Sequence, residues 1–236
     1  MHYRPLAIAL AVATLSTPAF AAQNHVLIRE DTGWIATAVF PQIDGDSPLR
    51  QLARDRAAAI THKDQHDFIV WAKDDVKTNG SPDSQYSYQS TPTVTLMTPK
   101  VISILWTNES DIGGEHPNVA YDTLDVGLVH GKPKVLTLTD FFVPGVDANG
   151  IAARAIINTL MNDPDAIDVQ EGRLNALTPG LVGKFTLGDT AITFVLSPDI
   201  AGRFAIDGVD KVKVKYTDLT DLDPSGPITA LLHSRK

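Results

Sequence analysis

The chain contains no cysteine, which excludes disulfides, thiol nucleophiles and thiolate metal sites. Stability has to come from a packed core, and 236 residues are enough to build one. There is no Gly-x-Ser-x-Gly nucleophile elbow, no Gly-x-Gly-x-x-Gly and no phosphate-loop pattern. Positive charge is scarce: 20 Lys and Arg stand against 28 Asp and Glu, a net charge of −8. A chain of that sign is a poor partner for nucleic acid or anionic lipid and suits a basic partner, or serves solubility alone. Long apolar runs are missing too. Leu6 to Leu15 is the one candidate, shorter than the roughly 20 residues a membrane-spanning helix needs.

What is present begins with an export leader over residues 1–21. Arg4 supplies the positive start, Leu6 to Leu15 the apolar stretch, Thr17-Pro18 the break, and Ala19-Phe20-Ala21 the small-x-small cleavage pattern. Cleavage before Ala22 leaves 215 residues and removes one cation, so the net charge becomes −9. The mature protein is expected to be periplasmic or secreted, with no membrane span.

Short alternating runs at His25–Glu30 and Trp34–Phe40 predict two strands. Ser47 followed by Pro48 is a helix start, and the apolar spacing predicts one helix from Pro48 to about Asp74, bent near Thr61-His62. Strands follow at Gln85–Ser90, Thr93–Thr98 and Lys100–Asn108, rich in β-branched residues. Asn118–Val129 alternates loosely, with a slip near Asp122-Thr123 that a bulge would repair. His130-Gly131-Lys132-Pro133 turns the chain into Val135–Leu138, a second helix covers about Asn149–Asn162, and Phe185–Leu187, Ala191–Leu196 and Val209–Tyr216 alternate again. This order lacks the regular strand-helix rhythm of a parallel sheet. It predicts an α+β fold, antiparallel sheets with two main helices packed on one face. Residues 22–110 would form a strand-helix-strand subdomain, 111–220 a second one, and 221–236 a loosely held tail.

The landmark is Gly113-Gly114-Glu115-His116-Pro117. Adjacent glycines reach backbone angles that side chains oppose, and Pro117 keeps His116 extended, so the corner presents one carboxylate and one imidazole. Glu115 and His116, with Tyr86 and Tyr88 on one strand face, are the candidate ligand-binding residues; Gly113, Gly114 and Pro117 are structural. Trp106 is assigned to the core. His62 and His66 are one helical turn apart but lack the adjacent glutamate of a zinc-protease helix, and are read as a solvated face. Asp74-Asp75 and Asp163/Asp165 are read as caps rather than as glycosidase pairs. No catalytic residue, metal ligand or cofactor is assigned.

Several pieces in order resemble a known family: Phe40-Pro41-Gln42 before the long helix, the Gly113-Gly114-Glu115-His116 corner, His130-Gly131-Lys132, Asp140-Phe141-Phe142, and the strands around Phe185-Thr186-Leu187 and Ile192-Thr193-Phe194. Val212 to Leu219 closes the series, and Pro198-Asp199-Ile200-Ala201-Gly202 partly matches a Pro/Gly-rich segment before it. Over roughly residues 25–220 this resembles the extracytoplasmic domain of RsiV-type anti-sigma factors and its relatives of unknown function. Glu115 stands where many members carry a small residue, and no sigma-binding region or retained membrane helix is visible. The resemblance implies a non-enzymatic envelope binding protein whose ligand is lysozyme or a similar hydrolase, or cell-wall material. The alternatives are a metal-assisted hydrolase centred on Glu115 and His116, or a structural envelope protein.

Overall fold

The computed structural model describes residues 25–82, 84–114, 116–173, 182–196 and 210–229. The expected leader, Glu115 and the Pro198–Gly202 segment lie outside them. Among the described residues no helix is long and apolar enough to cross a membrane.

The α+β architecture rests on two sheets. The larger has six strands in sequence order: β1 (Val26–Asp31), β2 (Trp34–Val39), β3 (Tyr86–Met97), β4 (Val101–Asp111), β5 (Asn118–Val129) and β6 (Lys132–Val135). Every pairing in it is antiparallel except β2 with β3. That parallel pair departs from the wholly antiparallel expectation because α1 (Pro48–Asn79) intervenes as a crossover, returning the chain to the same end of the sheet.

Helix α1 starts as its sequence dictates. The Ser47 hydroxyl accepts from the Arg50 amide at 3.3 Å, and Pro48 occupies the first turn, where no amide donor is needed. Its buried stripe, Leu49, Ala53, Ala57, Thr61, Gln65, Phe68, Ile69 and Ala72, repeats at three to four residues. The alanines let the helix lie close to the sheet, where Ile102, Ile104 and Trp106 of β4 and Leu124 and Val126 of β5 complete the core. Thr61 accepts from Trp106 Nε1 at 3.1 Å. Gln65 Nε2 donates at 3.0 Å to the carbonyls of both Leu27 and Ala36, tying the helix to β1 and β2.

Three expectations within this sheet are corrected. β3 is one strand rather than two, because β2 pairs with it only up to Ser90; beyond that point Pro92 faces an open edge, where a missing amide is tolerated. The slip expected at Asp122-Thr123 is absent: β5 pairs with β4 without interruption, and the irregularity lies in β3 between Val94 and Leu96. β5 alternates poorly because Leu124 to Gly127 are buried on both faces. The return strand is Lys132–Val135, and Leu138–Phe141 instead forms a 3₁₀ turn held by Asp140, which accepts from the Thr137 amide at 2.8 Å. His130 (φ 49°) and Gly131 (φ 76°) make the tight two-residue turn before it.

The second sheet is β7 (Phe185–Leu187), β8 (Ala191–Leu196) and β9 (Asp210–Lys215), all antiparallel. Helix α2 (Ala148–Leu160) shares a core with it, Ile151, Ala155 and Ile156 packing with Phe194, Val212 and Val214. A short α3 (Ile167–Gln170) follows α2. β7 docks on the side of the large sheet away from α1, where the Leu187 amide donates to Ser103 Oγ at 2.8 Å. The expected subdomain boundary at residue 110/111 falls inside the β4–β5 hairpin, whose pairing runs from Ser110↔Asn118 to Val101↔Gly127. The segment after Asp218 differs from the loosely held tail expected of its polar composition, at least through Thr229. Val143 donates to the Asp221 carbonyl and Asp223 to that of Phe141, both at 2.9 Å, and Ile228 is buried in the α2 core.

Candidate functional site

The glycine corner is the tip of the β4–β5 hairpin. Gly113 takes φ +84°, and its amide donates to Asp111 Oδ1 at 3.0 Å. Gly114, His116 and Pro117 are exposed. The tip lies over Tyr86: a Cβ placed on Gly113 would sit 3.8 Å from Tyr86 Cε1. The structure therefore brings together Gly113 and Tyr86, which lie far apart in sequence.

Tyr86 is half-buried at the start of β3. Its hydroxyl donates to Asp75 Oδ2 at 2.7 Å, and Asn79 Nδ2 donates to the other carboxylate oxygen at 2.8 Å. The Asp75 bond and partial burial both disfavour loss of the phenolic proton. Trp71 on α1 lies against it, ring centroids 5.3 Å apart, and remains 40% exposed. Trp71 is apolar, but its place one residue short of the buried Ala72 puts it on the outer flank of the helix. Around it His66, Val70, Lys73 and Asp74 line a shallow hollow along α1.

Tyr88 does not join this surface. It is buried and stacks on Phe68 at 5.2 Å, so its assignment as a surface ligand contact is corrected. Two residues further along β3 the side chain points to the same helix-covered face, where α1 shuts it in. Burial pushes the Tyr88 hydroxyl well above its usual range. His62 and His66 are exposed as expected, the His62 ring edge-on to Phe40 at 5.1 Å. Among the described residues no three His, Asp or Glu side chains are grouped to hold a metal.

A second constellation, which sequence reasoning missed, lies between α1 and the sheet. Asn108 of β4 donates through Nδ2 to Asp122 Oδ2 at 3.0 Å and to Asp64 Oδ2 at 3.4 Å. Burial, and then the nearby Asp122 charge, push the Asp64 carboxyl up to about 6. Lys184 reaches Asp122 Oδ1 at 3.3 Å from the rim. The available signals were Asp64, a carboxylate beside the buried stripe of α1, and Asp122, a carboxylate within the β5 strand sequence.

A core of this kind, one long helix on a mainly antiparallel six-stranded sheet with a small helix-covered sheet behind it, defines an α+β class of two-sheet proteins. Within that class the chain shares its fold with solved structures of the DUF3298 family. A Bacteroides fragilis member superposes with a TM-score of 0.51 at 17% identity, covering 90% of this chain and 98% of that one. A Pseudomonas aeruginosa member gives 0.55 at 14% identity, covering 86% and 95%. No protein family matches the chain by sequence, and no curated protein does either.

Proposed function

We propose that the protein is an exported, non-catalytic binding protein of the cell envelope, and that it recognises its ligand through the face formed by Trp71 and Tyr86 beneath the glycine corner. The observation that carries this reading is the exposed Trp71 ring braced on Tyr86. Rigid aromatics of this kind dominate binding hot spots because they bury much area while losing little freedom. The export-leader pattern of residues 1–21 supports the envelope assignment. The finer kinship with RsiV-type extracytoplasmic domains, drawn from the ordered sequence pieces, makes a lysozyme-like hydrolase the leading ligand and cell-wall fragments the other. The net charge of −9 left after leader cleavage would speed encounter with a basic hydrolase.

Calorimetry of the purified protein with lysozyme, and separately with muropeptide, tests this. Heat of binding with one of them is expected. Trp71→Ala should weaken it by roughly 30-fold, the size of a hot-spot loss, while leaving the melting temperature within about 2 °C, as for an exposed position. Absence of heat with both ligands at high concentration removes the assignment, and undiminished affinity in Trp71→Ala moves the site elsewhere.

A further inference from the structure

The two edges of the six-stranded sheet are built differently. β6 is short, and its Lys132, Pro133 and Lys134 are residues that discourage a further strand. β1, at the other edge, has no proline, no lysine and no bulge. Among the described residues no strand pairs with its outer side. The Phe40 amide donates to the His25 carbonyl at 2.9 Å, which fixes the alternation: His25, Leu27, Arg29 and Asp31 bond inward to β2. The amides and carbonyls of Val26, Ile28 and Glu30 therefore point outward, with no strand to receive them. The side chains on this edge are apolar as well. Val26 is 46% exposed and Ile28 59%. Both lie on the face away from α1, because Leu27 and Arg29 share the other face with the buried Ala38 and Ala36.

An edge of this kind takes up another strand by main-chain pairing, and the residues of β1 fit a second copy of themselves. Two antiparallel copies related by a two-fold axis normal to the sheet must place one residue of β1 opposite its own counterpart. With Ile28 at the axis, Val26 faces the partner's Glu30, and every outward amide and carbonyl from Val26 to Glu30 finds a partner. On the other face the same register sets His25 opposite the partner's Asp31, base against acid. It also sets Arg29 opposite the partner's Leu27, an apolar surface for its aliphatic stem to cover. The neighbouring registers lose this match. Centred on Leu27, Arg29 lies opposite the partner's His25; centred on Arg29, two guanidinium groups oppose each other.

We propose that β1 is a self-association edge, joining two copies of the chain through antiparallel β1–β1 pairing centred on Ile28 into one continuous sheet. Neither Trp71 nor Tyr86 takes part, so the contact does not depend on what the aromatic face binds. The interface is small, so sedimentation equilibrium of the purified protein over about 1–200 μM should show monomer and dimer exchanging with a dissociation constant of ~10–100 μM. Ile28→Lys brings two ammonium groups together at the axis and should weaken dimerisation at least about tenfold. The position is exposed, so the melting temperature of the dilute variant should stay within about 2 °C of the parent. His25→Glu and Asp31→Lys should each weaken the dimer, and the double variant, which restores opposite charges, should recover it. A monomer over the whole range overturns the proposal, whatever other strand the edge receives, and so does a dimer that Ile28→Lys leaves intact. A double variant no tighter than the two single ones overturns the register centred on Ile28.

Discussion

Asp125 shows how one residue can set the pH response of the fold. It lies on β5 opposite Ser103, 4% exposed, with Oδ1 unpartnered. Burial pushes its carboxyl up to about 8, against the weaker pull of the Ser103 hydroxyl and the Leu187 amide. Because the folded value exceeds the unfolded one, about 3.9, the native state holds a proton that the unfolded chain releases. Stability from this group is therefore complete below about pH 4 and declines as pH rises towards 8, by at most about 1.4 kcal/mol per pH unit. Asp125→Asn, neutral at every pH, should flatten that decline and unfold at higher urea than the parent at pH 8. Urea titrations at pH 5 and pH 8 check it; parallel losses in both proteins would mean that another group carries the dependence. Nothing in Leu124-Asp125-Val126 announces this behaviour. Whether a carboxylate in an apolar strand is neutral or paired depends on what the second sheet brings against it, and that contact joins residues far apart in the chain.

At the scale of the element, α1 does most of the organising and was also the most legible part. Ser47 and Pro48 mark its start, and its apolar period marks its inner face. Its last turns, to Asn79, continue past the last strongly apolar position because Asp75 and Val76 are held by Tyr86 and by packing beside Gly33. Strand pairing was less legible: Pro92 reads as a break, yet β3 passes through it because the neighbour on one side has already ended. The candidate site divided along the same line. The corner and Tyr86 were found because glycine and aromatic residues stand out locally. Tyr88 was misplaced, and Asp64, Asn108 and Asp122 were missed, because helix cover over the sheet decides exposure and no local pattern encodes it. Ala57 lies fully buried where α1 meets β4 and β5. Ala57→Leu should lower stability by about 1–3 kcal/mol through overpacking, read as a drop in the thermal midpoint. An unchanged midpoint would mean that α1 rides further from the sheet than the alanine stripe implies.

For the whole molecule, the order of pieces in the sequence proved a better guide than their composition. The Gly-Gly corner became a hairpin tip, His130-Gly131 a two-residue turn, and Asp140-Phe141-Phe142 the joint between the two sheets. Composition misled at the end of the chain, where prolines, glycines and aspartates after Asp218 read as a tail. In the fold that stretch runs back over the joint: Phe142 bridges to Leu222, Asp223 binds the Phe141 carbonyl, and Leu219 and Ile228 enter the α2 core. A stop after Asp218 would remove both of these side chains from the core, each worth about 1.5–3 kcal/mol of burial, and would leave the Phe141 carbonyl without its donor. The truncated protein should melt on the order of 10 °C below the parent, with the near-ultraviolet signal of the phenylalanine-rich joint weakened before the far-ultraviolet signal of α1 is lost. An unshifted melt would mean that α2 and the small sheet close their core without this segment, and that it packs there without stabilising the fold.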